Sequence, residues 1–159
     1  MPMGGKAYKL EPSFSVYKAG TTYYAMSKDG DTPYYGPLAA TVANNAFGAL
    51  TPGRTWQEEV LLEGNLTINS PLLVPNYSHL KLLGSIKLAN GANCDMLRAS
   101  DPTPTWITIE GGFWDGNAAN QGWGAGDFEG IKIDATVGSG TKIFLNDIWM
   151  QDVRTRAFY

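Results

Sequence analysis

EEVLLEGNLTINS, from Glu58 to Ser70, decides the reading of this chain, because the same two-part phrase returns three more times. It comes back as HLKLLGSIKLANG from His79, as WITIEGGFWDGN from Trp106 and as KIFLNDIWMQDV from Lys142. Each copy is a short alternating apolar run, a small or polar corner and a second alternating run, the period-two pattern of half-buried strands. Placing Val60, Leu80, Ile107 and Ile143 in register gives steps of 20, 27 and 36 residues. Periods of this size predict a β-solenoid, in which each unit stacks on its neighbour to bury a continuous core. A further β-prone run follows each copy, at 71–74, 95–98, 130–134 and 155–159. Three strands per coil are thus expected, pairing in parallel with the coil above. Inward positions would be Val60/Leu62, Leu80/Leu82, Ile107/Ile109 and Ile143/Leu145, with the longer steps absorbed in loops at 100–105, 117–129 and 135–141.

Upstream of the repeat the signals change. Residues 1–12 read as a leader, and runs at 14–17 and 21–26 around Lys18-Ala19-Gly20 predict a hairpin, followed by a tyrosine-rich loop, so 13–36 is hairpin and loop. One helix is expected over 37–51, with Pro37 in its first turn, Leu38, Val42, Ala46 and Leu50 on one stripe, and Thr51-Pro52-Gly53 as its stop. A helix has no place inside such a stack, so it is expected to cap the first coil. The coils then occupy 57–159 of a single domain spanning 1–159.

Composition narrows the function classes. Nineteen glycines, nine prolines and a 43% apolar content suit many short strands joined by turns. The net charge, 12 − 15 = −3, comes with no basic stripe, which argues against nucleic-acid binding. No apolar run approaches the ~18 residues of a membrane span, and the first residues carry no signal-peptide pattern. Cys94 and His79 stand alone in their types, so neither a disulfide nor a multi-histidine metal centre can be built within the chain. His79, opening a strand, is expected to be structural. Two sequons, at Asn65 and Asn76, matter only if the chain is secreted from a glycosylating cell.

The turn Lys28-Asp29-Gly30-Asp31, the helix from Leu38 to Leu50, and the phrases from Pro71 to Gly84 and from Ile107 to Asn117 together resemble the N-terminal part of the pectate-lyase-like superfamily. The resemblance covers 23–117. It implies an all-β fold, a right-handed parallel β-helix of about four coils with an N-terminal hairpin and one short capping α-helix. It also implies a polysaccharide or glycan partner, and an extracellular or virion-associated setting, since the superfamily holds polysaccharide lyases, hydrolases and phage tailspikes. The catalytic signatures of polygalacturonase-like members are absent: there is no Asn-Thr-Asp triplet, no Asp-Asp pair and no histidine after His79.

Candidate site residues come from the corners and the exposed rings. Glu110, Asp115 and Asp152 are the candidate catalytic carboxylates, since two carboxyls about 6.5–9.5 Å apart suit inverting glycoside hydrolysis. The competing reading is that Asp, Asn and Gly at corners only satisfy turn backbone. No cofactor is expected; calcium on Asp115, Asp147 and Asp152 is the one alternative. Candidate ligand-binding residues are Phe113 and Trp149 as an outward stacked pair, Trp123 on a glycine-rich loop, and Arg154 and Arg156. The expected function is a polysaccharide-interacting module that is not a self-sufficient catalyst. Two alternatives stand beside it. One is an assembly module that forms a homo-oligomer through its C-terminal edge; the other is a glycosidase or lyase using the corner carboxylates.

Overall fold

The structure, a computed structural model, describes residues 11–122, 128–134 and 141–159. Its strands fall into two sheets. The larger is mixed. It contains β1 (Phe14–Ala19), β2 (Thr22–Ser27), β3 (Tyr34–Gly36), β4 (Glu58–Ile68), β6 (Ser78–Leu88), β8 (Ile107–Glu110), β9 (Phe113–Asp115), β11 (Ile143–Asn146) and β12 (Trp149–Gln151). Their spatial order is β11-β8-β6-β4-β1-β2-β3, with β9 between β6 and β12. The smaller sheet is parallel, in the order β13-β10-β7-β5, from β5 (Leu72–Val74), β7 (Leu97–Ala99), β10 (Glu129–Lys132) and β13 (Arg156–Phe158).

This arrangement corrects the expected right-handed parallel β-helix of about four coils. The large sheet is not all-parallel, because β1–β2 and β2–β3 pair antiparallel and extend it at one side. The corners of the first two phrases are also not corners: Gly64 and Gly84 lie within unbroken eleven-residue strands paired from Glu58↔Ser78 to Ile68↔Leu88. Glycine makes this possible, for Gly84 has φ +138° and a Cβ there would lie 2.7 Å from the Gly64 carbonyl carbon. What periodicity marks as two walls meeting at an angle is thus one wall.

The register also differs from the expected one. Leu80 lies opposite Ile109, while Ile107 lies opposite Ser78, so the middle step is 29 residues rather than 27. The loop before β8 sets this. Asn76 receives the Asp101 carboxylate on its backbone N–H and binds the Thr105 N–H and the Thr103 carbonyl through its side chain. Beyond Glu110 the step shortens by one, from Lys81↔Glu110 to Ser85↔Phe113, and Gly111-Gly112 take up the difference. A Cβ at Gly112 would overlap the Leu82 side chain, which fills the space that two side chains would otherwise need.

One apolar cluster joins both sheets and the helix. Its columns run across the strands as Phe14–Val60–Leu80–Ile109 and Leu66–Ile86–Trp114. The helix α1 (Ala39–Gly48) is shorter than the expected 37–51: Leu38 is its extended N-cap and is exposed, and Pro37 precedes it. Four buried alanines let it lie close against β1 to β5. Asn44 projects from it to accept the Leu73 N–H (2.8 Å) and donate to the Pro71 carbonyl (3.0 Å), which occupies the free edge of β5.

Candidate functional site on the outer face of the large sheet

Alternation along each strand sends one set of side chains inward and the other onto an open face. On β4, β6 and β8 the outward set includes Glu59, His79, Lys81 and Glu110. His79 Nδ1 lies 3.1 Å from Glu59 and its Nε2 lies 3.1 Å from Glu110, while Lys81 Nζ lies 2.8 Å from the other Glu110 oxygen. His79 is thus not a lone strand opener but the centre of a four-residue ionic cluster, and an imidazolium is the form that donates to both carboxylates at once. The Lys81 hydrogen bond holds the Glu110 carboxyl below the usual carboxylate range, outweighing partial burial, and Glu110 in turn raises Lys81. A carboxyl held ionised in this way is poorly suited to protonating a leaving group. Lys81→Met should move the Glu110 pKa upward toward the ordinary glutamate value, read by carboxyl-carbon NMR titration; an unmoved Glu110 titration would refute the assignment of Lys81 as the cause.

The other two candidate carboxylates are placed separately. Asp115 is bound by Lys87 Nζ at 3.0 Å and accepts the Asn117 backbone N–H at 2.8 Å, which supports Asn117 in a left-handed turn. Asp152 is exposed and lies beside Gly116, with its carbonyl accepting the Ala118 N–H. Asp115 faces Gln151, not Asp152, in the ladder. The three carboxylates thus have different partners: Glu110 belongs to an ionic cluster, and Asp115 and Asp152 support turns. Among the described residues no group of three acidic, histidine or cysteine side chains is placed to hold a metal ion, the calcium trio of Asp115, Asp147 and Asp152 included.

The aromatic candidates divide between the sheets. Phe113 pairs with Trp149 across β9 and β12 on the outer face, where Trp149 is 70% exposed, while Trp114 beside them is fully buried and aligned with Met150. Arg154 and Arg156 lie elsewhere, against the rings of Phe128 (5.6 Å) and Tyr159 (4.7 Å) at the smaller sheet. Trp123 lies outside the described residues.

The outer face carries more than the sequence reading identified. Tyr17, Tyr24 and Tyr35 stack at 5.8 and 6.3 Å across β1, β2 and β3. Beside Tyr17 an open cleft is walled by Lys18, Glu63 and Asn65. From Asn65 a straight column runs through Ser85, which donates to Asn65 at 2.8 Å, to Phe113 and Trp149. The 20-residue step from Asn65 to Ser85, and from Glu59 to His79, was the sequence signal for these neighbours. No protein-family model, curated protein or solved structure matches the chain.

Proposed function

We propose that this chain is a polysaccharide-interacting module that binds glycan across the outer face of its large sheet and is not a self-sufficient catalyst. The observation that carries the reading is the column Asn65, Ser85, Phe113 and Trp149, which leads from an amide and a hydroxyl to a part-buried ring paired with an exposed one. A sugar needs both: hydrogen-bonding groups for its hydroxyls and an aromatic surface for its C–H face. Strand spacing of about 4.8 Å puts these groups on a line that an extended polymer can follow. The engagement of Glu110 and Asp115 by lysines supports binding over hydrolysis.

A second reading rests on Leu145. It continues the column of Phe14, Val60, Leu80 and Ile109, all buried, yet it is 40% exposed, and its neighbour Phe144 is exposed too. A chain that assembles through β11 would cover them. One pair of experiments separates the readings. Glycan-array screening should find binding that Trp149→Ala reduces by about tenfold or more. Light scattering across concentration should show a constant monomer mass. Binding untouched by Trp149→Ala removes the outer-face site; a mass that rises with concentration and reverts in Leu145→Lys favours assembly.

A further inference from the structure

A second aromatic cleft opens where the chain turns into β4, β6 and β8. It has a volume of about 380 Å³ and is lined by Thr55, Trp56, Gln57, Tyr77 and Trp106. Tyr77 and Trp106 immediately precede the paired residues Ser78 and Ile107, and both are left-handed, with φ of 56° and 52°. Bulky side chains rarely adopt this conformation, and it persists only where surrounding bonds impose it. Here they do: the Tyr77 carbonyl accepts from Glu58 N–H and Arg54 Nε, and the Tyr77 N–H donates to the Thr105 carbonyl. The Trp106 carbonyl accepts from Gln57 Nε2 at 2.9 Å.

The result is a cleft with Trp106 held through its backbone and both indoles open to solvent, Trp56 at 56% and Trp106 at 38% exposed. Rigid aromatic anchors lose little entropy on binding, which is what a ligand site requires. Gln57 spends its amide N–H groups on Trp106 and on Thr108 Oγ1, at 2.8 Å, leaving its Oε1 as an acceptor at the cleft. Thr55 and Tyr77 add hydroxyls. No lining residue is itself charged, but Lys142 Nζ lies 4.2 Å from the Trp106 ring centroid and the Phe144 ring packs against the same indole at 6.3 Å.

We infer that this cleft is a binding subsite for a pyranose ring, stacked on Trp56 beside Trp106 and hydrogen-bonded by Gln57 and Thr55. The inference rests on the polysaccharide reading but names a different place on the molecule.

The test is calorimetric titration of the whole chain with maltohexaose, cellohexaose, mannohexaose and hexagalacturonate, repeated for Trp56→Ala, Trp106→Ala and Trp149→Ala. Trp56 lies in an exposed loop, so its variant keeps the fold whatever happens to Trp106→Ala. At least one hexaose should bind, and Trp56→Ala should weaken it about tenfold or more. Binding by Trp56→Ala within twofold of the parent, for every hexaose that binds, overturns the subsite and leaves the polysaccharide reading intact. Failure of all four to bind overturns both.

Discussion

Gly84→Ala should be among the most damaging substitutions in the chain. With φ of +138°, an alanine there is strained before any contact is counted, and its methyl carbon would collide with the carbonyl of Gly64 one strand away. Neither side of that collision is a flexible side chain, so relief requires β4 and β6 to separate in the middle of their eleven paired residues. A loss of about 3–5 kcal/mol follows from strain and overpacking together. For a chain of this size that corresponds to a fall in Tm of roughly 10 °C. Gly53→Ala is the control. Its φ of +69° carries strain, but nothing lies within 4 Å of the new methyl, so the loss should stay near ~1 kcal/mol. Comparable midpoints for the two variants in thermal unfolding would mean that the close approach of Gly64 and Gly84 is not what restricts this position.

Trp114→Ala should be nearly as costly and should reach the surface. The indole is fully buried between Ile86 and Met150 in one column, and its N–H donates to the Gly111 carbonyl at 3.1 Å. Removing it leaves a cavity and an unpaired carbonyl, a loss of about 3–5 kcal/mol. Because alternation is strict, Trp114 pointing inward is also what points Phe113 outward beside Trp149. Glycan binding at the outer face should therefore weaken with stability in this variant, whereas in Trp149→Ala it weakens with stability unchanged. Urea unfolding measured beside glycan affinity separates the two. A Trp114→Ala chain that unfolds at the parental urea midpoint would show that the column is not packed as described.

The legible part of the fold was its strands. β5, β7, β10 and β13 fall on runs that alternation picks out, and so do the strands of all four phrases, because a half-buried strand must alternate. How those strands are grouped was not legible. Gly64 and Gly84 read as corners, since glycine more often ends a strand than passes through one, and only their mutual approach explains a continuous strand. The tyrosine run at 32–36 read as loop but supplies β3, which pairs with β2. At the candidate site, the outward pairing of Phe113 with Trp149 followed from their 36-residue spacing. His79 read as a lone residue because its partners, Glu59 and Glu110, lie 20 and 31 positions away and meet it only in register. The Trp56–Trp106 cleft was illegible for another reason: it depends on two left-handed aromatic residues, and sequence gives no cue for a conformation their side chains disfavour.

The ladder spacing bears on how the chain is made. Successive parallel pairings close over 20, then 29, then 36 residues, from β4–β6 to β6–β8 to β8–β11. Loop-closure entropy grows only logarithmically, so the last closure costs about 0.5 kcal/mol more than the first. That difference is slight beside the apolar area each new strand buries, yet its direction is consistent: the cheapest non-local pairing is also the first to emerge from the ribosome. Synthesis can therefore template the sheet strand by strand, with β4 and β6 as the seed and each later strand docking on an edge already in place.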